Sequence, residues 1–193
     1  LVTVAGLDPW RAGVIAWIAR LIDAISDPLM GQLSDRTRWQ IGRRRPFFLL
    51  GMIPLGLFFS LIWSTPFTSQ GAMFFWYLGV YIGLSLSMTV VSVPYLALIP
   101  EMATDYDERT SINTYRAAAA VSGTMVAAGF FGIAQVFGGG SSGFELTGLM
   151  IAAWVILPWP LVYLVSFERS QVESQPRANL FRGLRELSQN RTY

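Results

Sequence analysis

The sequence predicts an all-α, polytopic membrane protein, and three observations carry that prediction. Of the 193 residues, 53% are hydrophobic and only 13% charged, against about 25% charged residues in a soluble domain; the mean hydropathy is +0.45. The charged residues gather in short clusters, leaving five apolar stretches close to the ~20 residues a helix needs to cross the hydrocarbon core. The arginines are unevenly placed. The segment 35–46 carries five of them, whereas 64–71 carries no charge at all, the asymmetry expected of loops on opposite sides of a bilayer.

Composition also excludes chemistries. Without cysteine there is no disulfide framework, thiol nucleophile or thiolate metal site. Without histidine, triad hydrolysis and imidazole-ligated metals are excluded as well. No enzyme activity, resident cofactor or nucleic-acid partner is expected. The lipid bilayer is the expected surrounding.

Residues 1–9 read as a short loop, with Gly6 and the Asp8-Pro9 pair as turn signals. The first predicted span covers about 10–33, with Asp23 near its middle and Asp27 one turn closer to its end. The segment 35–46 follows, and Arg36, Arg38, Arg43, Arg44 and Arg45 make it cytoplasmic. The second span, about 47–63, returns to the uncharged outer loop. The third, about 73–99, spaces Gly79, Gly83 and Ser87 by four, which lets neighbouring helices approach closely. A break is expected at Pro94, where the ring frees a backbone carbonyl.

Residues 100–109 form a cytoplasmic loop by parity; their acidic excess weighs little, because the rule counts Lys and Arg. The fourth span, about 112–137, has Arg116 just inside it and small residues from Ala117 to Gly123. Residues 138–143 read as a flexible external loop, and no lysine signature follows to make them a phosphate loop. The fifth span, about 146–167, contains Pro158 and Pro160. Residues 169–193 are polar. Leu180, Phe181, Leu184 and Leu187 fall at helical spacing there with Arg182 and Arg185 between them, predicting a short amphipathic helix on the cytoplasmic side. Five spans with both arginine-rich segments inside start the chain outside, with Leu1 and no signal-peptide n-region. The expectation is a fragment of a longer protein lacking an upstream helix 1.

The first constellation with chemistry is Arg20, Asp23 and Asp27. On insertion scales a charge at the centre of a spanning helix costs roughly 2.5–3.5 kcal/mol. The two aspartates stand four apart, one above the other on a helix, and Arg20 precedes Asp23 by three on the same face. One reading is a structural ion pair between Arg20 and Asp23. The other is a cation site: Asp27 has no evident local partner, and two acids against one base leave a deficit that Na+ or H+ would fill.

The second is Gly31-Gln32-Leu33-Ser34-Asp35-Arg36, followed by Gly42-Arg43-Arg44-Arg45-Pro46-Phe47. Topology alone accounts for its charge. A sharper reading makes it a gate, in which Asp35 pairs with arginines of neighbouring helices and holds the cytoplasmic side closed. Glycine, three residues, Asp-Arg, and a later Gly-Arg-Arg together resemble the loop between helices 2 and 3 of the major facilitator superfamily. The five residues between Arg36 and Gly42, and Asp23-x-x-x-Asp27-Pro28 before them, are similar to the glycoside–pentoside–hexuronide:cation symporter branch. Val93-Pro94-Tyr95, Leu98-Ile99-Pro100, Asp107-Glu108-Arg109 and Tyr115-Arg116 extend the likeness over essentially the whole chain.

The resemblance implies the N-terminal helical bundle of that superfamily, with helices 2–6 present, in a multi-pass protein of the inner or plasma membrane. It implies Asp23, Asp27 and Thr89 as cation ligands, with Na+ tentatively on the two aspartates. It implies Arg20, Arg116, Ser92 and Leu96 at the substrate site, and Gly31, Asp35, Arg36, Arg43 and Arg44 in gating. For Arg116 a cytoplasm-facing pairing with Asp105 or Glu108 is the alternative. Ser92 and Leu96 stand where the branch has a galactoside-binding aspartate and a sugar-stacking tryptophan. Serine bonds less than a carboxylate and leucine cannot stack on a ring, so the cation half of the site is kept and the sugar half altered.

The implied activity is cation-coupled uptake of a small solute, most readily a sugar or glycoside, by alternating access. A lysolipid or amphiphile transporter on the same fold is the nearest alternative. A proton-coupled sucrose-type carrier is not expected to carry both aspartates, and neither an enzyme's nucleophile–base cluster nor a channel's repeated pore lining is present. The missing helix 1 and the C-terminal half of the same protein are the implied partners.

Overall fold

The computed structural model describes residues 2–103 and 105–168. The described chain is helical, with one isolated bridge between Trp39 and Gly42. Its elements are α1 (Val2–Ala5), α2 (Pro9–Arg36), α3 (Pro46–Leu61), α4 (Gln70–Met102), α5 (Tyr106–Val136), α6 (Gly140–Ile156) and α7 (Pro158–Val165). Proline opens α2, α3 and α7, where the missing N–H would have no intrahelical partner anyway.

Helices α4, α5 and the stretch Gly140–Val165, made of α6 and α7, are long and apolar enough to cross a membrane; α3 is a shorter apolar helix. Helix α2 has 28 residues, about 42 Å at 1.5 Å per residue, but its charged residues Arg11, Arg20, Asp23, Asp27, Asp35 and Arg36 lower its hydropathy.

Several expected boundaries move. Residues 2–5 are helical rather than loop. Asp35 and Arg36 are the last turn of α2, not loop residues. The expected break at Pro94 does not occur: α4 runs through both Pro94 and Pro100. Pro94 is fully buried, and the neighbouring helices hold the helix on course where its own ladder is interrupted. At the second proline's turn, the carbonyl of Ala97 is taken by the Arg44 guanidinium at 2.6 Å. The acidic segment 100–109 is mostly helical too, since α4 ends at Met102 and α5 begins at Tyr106. The glycine-rich segment is shorter than expected, with α6 starting at Gly140 after positive φ at Gly138 and Gly139. The fifth span is interrupted at Leu157, one residue before Pro158. The amphipathic helix expected around 180–187 lies outside the described residues.

Helix α4 is the axis of the bundle, flanked by α2 and α3, with α6 on α3 and α5 on α6. At one end Leu7, Ile15, Met73 and Tyr77 pack together; toward the other, Phe48, Leu55, Val91 and Leu98 do. Close approach is decided by glycine: a Cβ on Gly83 would stand 2.4 Å from the Phe58 ring, and one on Gly51 2.5 Å from Val91. Gly79, grouped with Gly83 by spacing, has nothing within 4 Å.

Candidate cation site and cytoplasmic charge network

The helical spacing that stacks Asp23 over Asp27 on α2 also stacks Ser85 over Thr89 on α4. Because the two helices pack side by side, each carboxylate meets a hydroxyl. Thr89 donates to Asp27 Oδ1 at 2.8 Å, and Ser85 donates to Asp23 Oδ1 in a short hydrogen bond. Ser26 lies between the rungs, its hydroxyl 3.5 Å from that of Thr89 and 3.5 Å from the Asp23 carbonyl. Thr89 is buried and Asp23 half-buried. Two carboxylates and three hydroxyls thus lie along one helix seam, hard-oxygen groups with Asp27 exposed at the groove.

Arg20 approaches Asp23 Oδ2 at 3.7 Å, but its side chain is 86% exposed in this chain. An exposed pair at that distance is weak, and among the described residues Asp27 forms no ion pair. These residues line a groove of about 600 Å³ together with Trp17, Tyr81, Leu84, Met88 and Ser92. Arg20, Asp23, Asp27, Thr89 and Ser92 of the sequence-derived set therefore share one wall. Leu96 and Arg116 do not line it. Leu96 is exposed one turn beyond Ser92, and the Arg116 guanidinium sits 5.6 Å over the Tyr95 ring while bonding Asn113 at 3.1 Å. Neither Asp105 nor Glu108 forms an ion pair with Arg116 among the described residues.

A second cluster occupies the arginine-rich end. Arg44 is 8% exposed and bridges Asp35 at 2.5 Å and Glu101 at 2.7 Å. Arg43 reaches the same Glu101 oxygen at 2.6 Å. One acid from the end of α2 and one from the end of α4 thus converge on the loop that leads into α3. Glu168, just past α7, accepts from the backbone N–H groups of Arg43, Arg44 and Arg45 at 2.8, 2.8 and 3.1 Å. Burial pushes the Glu168 carboxyl up, but the three N–H donors and the Arg43 charge outweigh it and hold the group below its ordinary range. Gly42 makes room: its φ is +117°, and a Cβ there would meet the Glu168 carboxylate at 3.0 Å. Arg45 donates to the Tyr163 carbonyl at 2.6 Å and lies 4.8 Å over its ring.

Of the five residues expected in gating, Asp35, Arg43 and Arg44 are brought together. Gly31 and Arg36 stand apart: a Cβ on Gly31 would only touch Val93 at 3.8 Å, and exposed Arg36 forms no ion pair among the described residues. Sequence reasoning missed Ser26, Ser85, Glu101 and Glu168. The spacing 85/89 repeats that of 23/27 and was a usable signal for Ser85. Nothing local marks Glu168, which bonds a backbone more than 120 positions away.

The model of the family described as MFS/sugar transport protein matches residues 1–193. Among curated relatives, the chain is 31% identical over 97% of its length to the inner membrane symporter YicJ of Escherichia coli, covering 41% of that protein. It is 27% identical over 97% of its length to the isoprimeverose transporter of Lactiplantibacillus pentosus, covering 40% of it. It is 41% identical over 65% of its length to the sodium-dependent lysophosphatidylcholine symporter 1-A of Danio rerio, covering 24% of it. The chain spans less than half the length of each of these relatives.

Proposed function

Because the chain belongs to the MFS/sugar transport protein family, we propose that it forms most of the N-terminal helical half of a secondary transporter that couples entry of Na+ or H+ to movement of a small solute, with no covalent chemistry. The observation that carries the reading is the pair of carboxylate–hydroxyl rungs between α2 and α4. Two acids sharing one groove, only one of them near a weakly held arginine, leave negative charge for a cation to neutralise. Asp23, Asp27 and Thr89 are its primary ligands, with Ser26 and Ser85 as further oxygens.

The solute sits beside the cation, in the groove lined by Arg20 and Ser92, between this half and the half that completes the protein. Arg116 and Leu96 reach it only in a conformation other than this one. The charge network of Asp35, Arg43, Arg44 and Glu101 acts as the cytoplasmic latch that opens and closes as the halves rock. A sugar or glycoside is the favoured solute, in keeping with the isoprimeverose transporter's name. An amphiphile is the second reading. It is favoured by the apolar groove residues Leu84 and Met88 and by the similarity to a lysophosphatidylcholine symporter.

The test is uptake by the full-length protein in vesicles, with sodium and proton gradients imposed separately against panels of sugars and lysolipids. Uptake accelerated by one gradient identifies the ion; uptake indifferent to both refutes coupling.

A further inference from the structure

A second groove lies on the opposite side of α4 from the aspartates. It has a volume of about 470 Å³ and is walled by Met30 and Leu33 of α2, Phe47, Leu50 and Phe58 of α3, and Leu86 of α4, among others. Ser87 also lines it, but its hydroxyl is turned onto the Gly83 carbonyl at 2.6 Å, so the groove offers almost no polar group. Leu33, Leu50 and Leu86 are 56%, 55% and 41% exposed. Such a surface does not specify its occupant; the chemistry at its mouth does.

That mouth is cationic and aromatic. Arg36 follows Leu33 by three on α2 and so shares its face. Trp39 is stacked on Phe47, ring centroids 5.6 Å apart, with its indole 48% exposed. Arg36 and Arg38 are exposed and form no ion pair among the described residues. The adjacent acid, Asp35, is neutralised by Arg44. Arg36, on the Leu33 face, and the tryptophan stacked on Phe47 thus stand at the end of the apolar groove that the positive-inside rule puts in the cytoplasm, with exposed Arg38 next to Trp39 in sequence. Arginine pairs with phosphate in a bidentate fork, and tryptophan sits at the headgroup level of bilayers.

We propose that this groove binds an anionic phospholipid of the cytoplasmic leaflet, one acyl chain lying along α2, α3 and α4 and the headgroup phosphate held by Arg36 and Arg38. The site is separate from the solute groove and does not depend on what the protein transports.

The full-length protein is reconstituted in an equimolar phosphatidylglycerol–phosphatidylcholine bilayer, extracted in mild detergent, and its retained lipid quantified by mass spectrometry. Phosphatidylglycerol is expected to be enriched about fivefold per engaged arginine, the preference one basic residue near an anionic surface confers. The double variant R36Q/R38Q is expected to bring the ratio back toward one. Leu86→Trp, which fills the groove and leaves the arginines in place, is expected to lower the total lipid retained. Retention in bilayer proportion by the unaltered protein, as when helices of the other half fill the groove, overturns the proposal. So does enrichment that survives R36Q/R38Q, or retention unaffected by Leu86→Trp.

Discussion

Thr89 donates its hydroxyl proton to Oδ1 of Asp27 at 2.8 Å, joining α4 to α2 across 62 positions of sequence. A hydrogen bond to a charged acceptor is worth about 1.5–3 kcal/mol, so Thr89 orients the carboxylate that has no arginine near it. Thr89→Val is expected to weaken apparent cation affinity by about tenfold or more, at 1.4 kcal/mol per decade. Asp27→Asn is expected to abolish cation-stimulated uptake. Cation titration of uptake checks both, and an unchanged half-saturating concentration in Thr89→Val removes Asp27 from the site.

Ser85 gives a sharper version of the same test, because among the described residues its hydroxyl bonds to Asp23 and not to Asp27. Ser85→Ala is expected to reduce cation affinity less than Asp23→Asn does, and Ser85→Thr is expected to keep most of it by preserving the hydroxyl. If alanine and threonine behave alike, the hydroxyl is irrelevant and the rung is only packing.

The charge cluster around Arg44 is expected to be unforgiving in one direction. Arg44→Met removes the cation between Asp35 and Glu101, leaving Glu101, whose side chain is 10% exposed, with Arg43 as its remaining partner. Breaking a buried pair costs about 3–5 kcal/mol, and Arg43 offsets part of it. A clearly lowered melting temperature in detergent is expected. Asp35, whose side chain is 55% exposed, is different: Asp35→Asn is expected to impair transport with little loss of stability or cation binding. Intact cycling with lost cation affinity would exclude the latch.

Glu168 predicts a pH dependence. Its folded pKa is lowered below the ordinary glutamate value, so the stabilisation from its bonds to the Arg43, Arg44 and Arg45 N–H groups is fully present above that ordinary value and is lost as pH falls through the lowered folded one. The melting-temperature gap between the unaltered protein and Glu168→Gln is therefore expected to be widest at neutral pH and to close in acid, as pH falls through the lowered folded value. A gap independent of pH would mean that the glutamate acts by shape alone.

Two glycines of one sequence stripe are expected to part company. Gly83→Ala drives a methyl to 2.4 Å from Phe58 and is expected to cost about 1–3 kcal/mol. Gly79→Ala meets open space and is expected to be neutral or slightly stabilising through helix propensity. Melting of the two variants side by side decides it.

What the amino-acid order determined by itself was everything that follows from periodicity and solvent preference. Apolar runs near membrane thickness, an arginine cluster set against an uncharged loop, and the stacked pair Asp23 and Asp27 are one-dimensional patterns, legible because helix geometry is fixed at 3.6 residues per turn. The family resemblance lay in local motifs and was legible for the same reason. Helix ends were less so: Pro94 looked like a break and Pro100 like the start of a loop, yet a helix packed on both sides continues through them. Tertiary structure alone decided which elements meet. Ser85 became a partner of Asp23 only when α4 lay against α2, and Glu168 found the N–H groups of Arg43–Arg45 only when the end of α7 reached the start of α3. Contacts across more than 60 or 120 positions depend on the packing of whole helices, which no local spacing encodes.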